Sequence, residues 1–415
     1  MKTPRLLLLG LVSVTATGLV IGGAFRDDHR ADALAAAAAL SRAAAVAPAV
    51  TAAPVPVTQS APSSASRHPS ERKTAPQTTA TETSAPAVST PAPTPTPHHN
   101  AKANPAPPST PTSSSKVKHV FLISLAVAYD PTAAYAGQQL RPQGELLSGY
   151  QQLPAASDLP SYIAMVSGQP PNAQTSAGCT TYSEFPNSAK VDKKGVVSGA
   201  GCVYPVSTLT FADQLTSARH TWRAYLEGMD AGGQPTATCL HPQSGQPDDT
   251  QQGRPGDEYA ARHNPFVYFH SLLDLGDCAQ NDVPLTKLAA DLASAKTTGS
   301  FSYIAPNLCH DGSEPTCADG SVGGTAAADA FLSQLVPQIL ASPAYKKNGL
   351  LEVAFSSGAL LVSPLITAGS SDPAGYNPYS LLRTNEDIFG VTHLAEAAGT
   401  EVKSFGGGLV TGAGD

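Results

Sequence analysis

Two kinds of apolar pattern alternate along residues 117–415. Residues 117–125 form a short apolar run of the kind found in buried strands, and residues 221–226, 301–305, 350–355 and 360–363 are further strand candidates. Apolar residues spaced at i, i+3 and i+4 predict helices over residues 209–218, 285–295 and 327–340. Strands that alternate with helices predict an α/β fold with a mostly parallel central sheet flanked by helices. In such folds, functional side chains gather at the carboxyl ends of the strands.

The N-terminus has the pattern of an export signal. Lys2 and Arg5 precede residues 6–25, a stretch of 20 residues without charge. At about 1.5 Å per residue, such a helix could cross a hydrocarbon core of about 30 Å, and it also fits the apolar core of a long signal peptide. Residues 1–30 are therefore interpreted as a signal peptide or an N-terminal membrane anchor, with the rest of the chain on the outer side of the membrane.

Residues 31–116 are predicted to be a disordered linker. The segment is first rich in alanine and then rich in proline, serine, threonine and alanine, with 14 of the 37 prolines in residues 50–116. Such a composition cannot bury enough apolar surface to offset the chain entropy lost on folding. The pair His98-His99 in this segment is interpreted as incidental. The folded domain is therefore expected to span residues 117–415, long enough to bury a sizeable core.

Charge divides the chain in the same place. Residues 1–116 carry a net charge of +5 and residues 117–415 one of −12, which together give the net charge of −7 for the whole chain. Nucleic-acid binding depends on lysine and arginine contacts to phosphates. The acidic domain therefore excludes nucleic acid as the main partner.

The cysteine count indicates an oxidising compartment. All six cysteines lie in the predicted domain, and neither a Cys-x-x-Cys motif nor a known zinc spacing is present. An even number of cysteines in an exported chain predicts three disulfides, although six cysteines allow fifteen pairings. Consecutive pairing, which closes short loops, is the favoured arrangement among Cys179, Cys202, Cys239, Cys278, Cys309 and Cys317.

Six segments, in order, resemble exported bacterial phosphoesterases of the alkaline phosphatase superfamily, in the branch of acid phosphatases and phosphatidylinositol phosphatases. The segments lie at residues 159–169 (LPSYIAMVSGQ), 221–229, 261–269 (ARHNPFVYF), 306–312, 328–332 and 376–384 (YNPYSLLRT). The resemblance extends over residues 117–405 and implies an alkaline-phosphatase-like sandwich. It also implies divalent metal ions and a Ser or Thr nucleophile, which together promote phosphate-ester hydrolysis.

Most of that catalytic apparatus is replaced here. Asp158 stands where the resemblance implies the nucleophile. Ala126 and Ser356 stand where it implies a metal-binding strand-end carboxylate and an Asp after the strand at residue 350. Pro378 and Ser313 stand where it implies two histidines. Of the implied metal-side groups, only Asp311 remains, with His310 beside it. Two hard divalent ions each need several anionic ligands, so the resemblance implies a degenerate member of the family.

Three sites keep alternative interpretations. Asp311 is either a residual metal ligand or a loop carboxylate that caps nearby amides. Asp158 is either a carboxylate nucleophile or added metal ligand, or a turn or N-cap residue before a helix through Tyr162. The segment Arg262, His263 and Asn264 either binds an anionic ligand from the substrate side or is a packing motif. Trp222 is interpreted as a core residue.

Two functional hypotheses follow. In the first, the protein is an exported pseudoenzyme without a cofactor that acts as a binding or scaffold module for an unidentified envelope component or protein partner. In the second, it is a metal-dependent hydrolase of phosphate esters with a rearranged site around Asp158, His263, His310 and Asp311. Both hypotheses place it outside the cytoplasm, secreted or anchored in the bacterial cell envelope.

Overall fold

The computed structural model describes residues 115–231 and 237–406. The predicted signal peptide or anchor lies outside these residues, as does the linker except for its last two residues. No helix within the described ranges is long and apolar enough to cross a membrane. The fold described below is therefore that of the predicted domain.

A single eight-stranded sheet forms the centre of the domain. The strands are β1 His119–Ser124, β2 Glu145–Gln151, β3 Trp222–Leu226, β4 Asp282–Pro284, β5 Phe301–Ala305, β6 Gly349–Ala354, β7 Ser357–Val362 and β8 Ser371–Asp372. Their order across the sheet is β4-β3-β5-β1-β6-β7-β2-β8. The pairs from β4 through β6 are parallel, β7 is antiparallel to both β6 and β2, and β8 is parallel to β2.

The central strand β1 is buried on both faces. It pairs in parallel with β5, where Val120 lies opposite Phe301, and with β6, where Leu122 lies opposite Glu352. Val120 and Leu122 belong to the apolar core on one face of the sheet, whereas Phe121 belongs to the core on the other face. This two-sided burial explains why the strand is a continuous apolar run in the sequence.

Helices cover both faces of the sheet. They are α1 Leu159–Ser167, α2 Ala173–Ser176, α3 Phe211–Ser217, α4 His270–Leu273, α5 Asp277–Asn281, α6 Leu288–Asp291, α7 Gly324–Ala341, α8 Pro343–Asn348 and α9 Pro378–Phe389. Short helical turns lie at Ala136–Leu140, Arg141–Gln143, Ala261–His263, Pro265–Tyr268, Leu285–Lys287 and Ala395–Ala398. The apolar side chains of α1, α3 and α9 belong to one core, and those of α7 belong to the other. The predicted fold class, an α/β fold with a mostly parallel sheet between helices, is confirmed.

The three disulfides are present and join consecutive cysteines. They link Cys179 to Cys202, Cys239 to Cys278, and Cys309 to Cys317. All three therefore close local loops of the domain.

The prediction of one helix over residues 285–295 is wrong. The chain forms a 3-10 turn at Leu285–Lys287 and then only the short α6, Leu288–Asp291. The hydroxyls of Thr297 and Thr298 donate to the carbonyl oxygen of Asp291 at 2.8 and 2.9 Å. Side chains that bond to a nearby carbonyl compete with the next helical turn, which explains the early end.

A carboxyl group lies inside the core beneath α9. Glu352 of β6 is 1% exposed and accepts a hydrogen bond from Nδ2 of Asn385 at 2.9 Å. Among the described residues, neither Oε1 of Glu352 nor Oδ1 of Asn385 has a hydrogen-bond partner. Burial raises the pKa of Glu352 to about 8, although the hydrogen bond from Asn385 opposes this.

Replacing Glu352 with glutamine should stabilise the protein at pH 8 and change little at pH 4.5. The pKa in the folded state exceeds the ordinary value, so this group's contribution to stability is complete below about pH 4.5 and is lost as pH rises towards 8. The neutral amide keeps the contact without ionising. We expect an increase of about 5 °C or more in the melting temperature at pH 8.

The exposed residue Glu401 provides the control, because Glu401→Gln removes the same charge from the surface. Equal melting temperatures for Glu352→Gln and the unmodified protein at pH 8 would show that Glu352 ionises freely. Calorimetric scans between pH 4.5 and pH 9 measure both variants.

Candidate functional site

Polar side chains meet where the parallel strands end. Residue Ala126 follows β1 and donates its backbone N–H to the carbonyl oxygen of Asp311 at 2.9 Å. Pro306 follows β5 directly, and Ser356 lies two residues beyond the end of β6. Asp158 precedes α1, and Arg262 and His263 lie in the helical turn Ala261–His263. The edge of the sheet predicted to be functional therefore gathers residues from distant parts of the chain.

His263 occupies the centre of this group. The residue is 1% exposed, and its ring lies edge-on to Tyr162 with the ring centroids 5.5 Å apart. Its Nδ1 donates to the carbonyl oxygen of Pro306 at 3.1 Å. Its Nε2 lies 3.3 Å from Oδ2 of Asp158 and 3.2 Å from Oδ2 of Asp311. Both carboxylates therefore approach the same nitrogen.

The side chain of Asp158 does not cap the helix that it precedes. It is the N-cap residue of α1 but makes no capping hydrogen bond. Its Oδ1 lies 3.5 Å from Nε of Arg262, and its Oδ2 faces His263. The interpretation of Asp158 as a helix cap is therefore right about its position and wrong about its side chain, which belongs to an ion-pair cluster.

Asp311 is completely buried and held from both sides. Its Oδ1 accepts hydrogen bonds from the backbone N–H and the hydroxyl of Ser313, both at 2.8 Å. Its Oδ2 faces Nε2 of His263. Asp311 is thus a loop carboxylate that binds a nearby amide, and its Oδ2, which also lies 2.8 Å from the Ser313 hydroxyl, faces the cluster.

The mutual contacts set the charges of this cluster. Burial disfavours the charged imidazolium, but the contacts with Asp158 and Asp311 outweigh it and raise the pKa of His263 to about 9. Burial also opposes ionisation of Asp158, yet contacts with His263 and Arg262 lower the pKa of that carboxyl. In the absence of another cation, the imidazole therefore carries a proton at neutral pH.

Two predicted site residues lie outside the cluster. Nδ1 of His310 contacts Oε1 of Glu227 at 2.8 Å, its ring stacks on Phe331, and contact with Glu227 raises its pKa. Asn264 is fully buried and donates to Oδ2 of Asp282 at 2.7 Å. The predicted grouping of His310 with Asp311 is not observed, because the His310 ring turns to Glu227. The structure gives Asn264 a packing role, because its amide bonds within the core.

Trp222 lies in the core, as predicted. It is 2% exposed and stacks on Phe266 with the ring centroids 5.1 Å apart. Its indole N–H donates to the hydroxyl of Thr216 at 3.2 Å.

A polar cleft opens beside the cluster. It has a volume of about 610 Å³, and Asp158, Arg262 and Ser313 line one side of it. Other parts of its wall include Gln152, Ser157, Gln251, Glu314 and the strand-end residues Ala126 and Ser356. Asp158, whose side chain is 12% exposed, connects the buried cluster with this cleft.

The donor set does not fit a two-metal centre. Ala126 and Ser356 stand at the strand ends in the cleft wall and offer a methyl group and a hydroxyl where the sequence resemblance implies anionic metal ligands. In the described ranges, three groups of His, Cys, Asp and Glu are close enough to share an ion, and two of them contain disulfide-bonded cysteines. The third is Asp158, His263 and Asp311, whose donor atoms lie within 4.8 Å of one another.

The chain matches no family model and no curated protein sequence. Its structure is similar to that of Ps i-CgsB in complex with k-i-k-neocarrahexaose, at 12% identity over 69% of this chain and 75% of that chain, with a TM-score of 0.41. A protein in the alkaline phosphatase superfamily from Vibrio parahaemolyticus is similar at 11% identity over 71% and 72% of the two chains, with a TM-score of 0.39. A 2-O GAG sulfatase is similar at 11% identity over 68% of this chain and 72% of that chain, with a TM-score of 0.36. Similarities this distant assign no function to the cluster.

Replacing Asp158 with asparagine should destabilise the metal-free protein. The change removes one of the two carboxylates facing His263 and the partner of Arg262, and leaves buried positive charge with less compensation. Breaking a buried ion pair costs about 3 kcal/mol. Urea unfolding at pH 7 in the presence of a chelator measures the difference.

The control is Asp274→Asn, which removes one of two exposed carboxylates beside the partly exposed His270. Exposed pairs contribute about 0–1 kcal/mol, so this variant should unfold almost as the unmodified protein does. Equal effects of the two substitutions would mean that the Asp158 contacts contribute no more than surface pairs.

Proposed function

We propose that this protein is an exported, disulfide-bonded domain of the phosphoesterase type that binds a partner or envelope component without hydrolysing phosphate esters through a two-metal centre. The observation that carries this proposal is the presence of Ala126 and Ser356 at the strand ends that line the cleft. Neither side chain supplies the anionic ligand that a metal-dependent phosphoesterase needs there.

The nucleophile position also argues against phosphoryl transfer. The sequence resemblance places a hydroxyl nucleophile where this chain has Asp158. The carboxylate of Asp158 contacts two cationic groups, Arg262 and His263, and these contacts lower its pKa. A carboxylate stabilised in this way is a weak nucleophile, because attack on phosphorus would have to break both contacts.

The charge balance of the cluster also argues against phosphoryl transfer. The formal charges of Asp158 and Asp311 are matched by those of Arg262 and protonated His263, so no positive charge remains to neutralise a phosphate dianion. Arg262 also donates from Nη1 to the carbonyl oxygen of Gln251 at 3.1 Å. A phosphate ester would therefore meet an arginine already engaged by protein atoms, whereas hydrolysis requires cations aimed at the transferring group.

One observation favours a second function. The donor atoms of Asp158, His263 and Asp311 lie within 4.8 Å of one another, close enough to hold one ion beside the cleft. A hydrolase of phosphate esters with this rearranged, single-ion site is the alternative function. In it, the three residues would hold the ion, and the ion would supply Lewis-acid polarisation of the ester.

The proposed location is extracytoplasmic, secreted or anchored in the cell envelope. Three disulfides support it, because disulfides persist in oxidising compartments. The uncharged N-terminal stretch and the long proline-rich segment support export and display away from a membrane. The partner class remains an envelope component or a protein and excludes nucleic acid.

The purified protein should show no enzymatic turnover of chromogenic phosphate monoesters, phosphate diesters or sulfate esters. The assay supplies Zn²⁺, Mg²⁺, Mn²⁺ or Ca²⁺ in turn and compares the protein with Asp158→Asn and Asp311→Asn. We expect the same background rate in all three samples, because the strand-end ligands and the free nucleophile are missing.

Saturable hydrolysis that both substitutions abolish would overturn the proposal and establish the single-ion hydrolase. His270→Gln serves as the control, since its imidazole also contacts two carboxylates but lies on the surface. Hydrolysis that persists unchanged in Asp158→Asn and Asp311→Asn would indicate a contaminating enzyme and leave the proposed absence of activity supported.

A further inference from the structure

We propose that Asp158, His263 and Asp311 bind a single divalent transition-metal ion of the zinc type through Oδ2, Nε2 and Oδ2. This inference deepens the proposed function, because it rests on the same cluster and names a ligand for it. It does not require the cluster to catalyse a reaction.

The orientation of His263 requires a cation at Nε2. Its Nδ1 faces the carbonyl oxygen of Pro306, which can only accept, so Nδ1 carries a proton. In the neutral ring, the lone pair of Nε2 then points at two carboxylate oxygens, those of Asp158 and Asp311. A lone pair that faces two anions is repelled unless a positive ion lies between them.

A proton satisfies this arrangement only in part. Nε2 of His263 is buried and, among the described residues, has no partner with hydrogen-bond geometry, although two carboxylate oxygens lie close to it. A single N–H can align with only one of them. Tetrahedral coordination with bonds of about 2.0–2.1 Å places neighbouring ligand atoms about 3.3 Å apart. The observed N–O distances are 3.3 and 3.2 Å.

Each of the three donor groups is also fixed through its other polar atom. Pro306 holds Nδ1 of His263, Ser313 holds Oδ1 of Asp311, and Arg262 lies against Oδ1 of Asp158. Metal ligands in proteins have such outer partners, which fix the tautomer of the imidazole and aim the free oxygen at the ion. The three inner atoms therefore converge from side chains that have little freedom to turn away, and Oδ2 of Asp311 keeps a second contact, 2.8 Å long, with the Ser313 hydroxyl.

The other histidine and carboxylate groups do not converge in this way. His270 contacts Glu184 through Nε2 and Asp274 through Nδ1, so its two carboxylates lie at opposite nitrogens. Among the described residues, the ring of His310 has a carboxylate at hydrogen-bond distance only in Glu227, at Nδ1. The convergence at His263 is thus a feature of this cluster and not of histidines in the domain generally.

This site differs from the two-metal centre that the sequence resemblance implies. Asp158 stands at the nucleophile position, and His263 belongs to the segment on the substrate side. One imidazole and two carboxylates suit zinc and its neighbours in the first transition series, whereas Ca²⁺ prefers six to eight oxygen ligands. The ion would neutralise both carboxylates, whereas in its absence protonated His263 and Arg262 together balance them.

Titration calorimetry of the full chain, purified without a histidine tag and treated with a chelator, tests the proposal with Zn²⁺ alone. We expect one equivalent to bind and X-ray absorption to show nitrogen and oxygen neighbours at about 2.0 Å with no sulfur. Asp158→Asn and Asp311→Asn should each weaken binding at least 100-fold, and Ser313→Ala should weaken it about 10-fold. Melting temperatures of the metal-free variants show that they remain folded.

His270→Gln and a variant with both His98→Ala and His99→Ala are the controls and should bind zinc as the unmodified protein does. Failure to bind one equivalent, or binding that survives in Asp158→Asn and Asp311→Asn, would overturn the metal site. Loss of binding in either control would also overturn it, by placing the zinc elsewhere. The ester assays test the proposed function separately. Zinc binding together with hydrolysis would support the metal site and overturn the proposed function. Absence of both zinc binding and hydrolysis would overturn the metal site and support the proposed function.

Discussion

The arrangement at the strand ends depends on one buried imidazole whose Nε2 faces two carboxylates. Removing three ionisable groups from water carries a large desolvation cost, which their mutual attraction offsets only when the geometry is good. His263 meets this condition because the Pro306 carbonyl after β5 fixes its ring, and Tyr303 of β5 donates its hydroxyl to the His263 carbonyl oxygen at 2.9 Å. The end of one central strand therefore positions the whole cluster.

The sheet shows which parts of a fold can be predicted from the sequence. Strands β1, β5 and β6 lie between two cores, so their sequences are mostly apolar runs, with Ser302 and Glu352 among the buried exceptions, and all three were predicted within one or two residues of their ends. The three-residue strand β4 and the two-residue β8 have no such run. Their positions follow from pairing with a neighbouring strand, and that pairing is a property of the tertiary structure.

The candidate site was predictable as a group of residues, but its geometry was not. Asp158, His263 and Asp311 each stood out in the sequence, yet nothing in their spacing indicates that two carboxylates reach one nitrogen. Adjacency along the chain was misleading, because the neighbouring side chains of His310 and Asp311 point to different partners. His310 contacts Glu227, whereas Asp311 faces His263. Neighbours in an irregular loop need not share a face, and only the backbone path decides which do.

Asp158, at the position where the sequence resemblance implies a hydroxyl nucleophile, changes what the cluster needs. A serine or threonine next to His263 would add no formal charge, whereas Asp158 adds a second anion to the one supplied by Asp311. Arg262 lies against the far oxygen of Asp158, so it leaves the two inner oxygens facing Nε2. A positive ion at that nitrogen, either a proton or a metal, is therefore required for the buried charges to remain stable. The aspartate at the position where the resemblance implies a hydroxyl thus creates the demand for a cation.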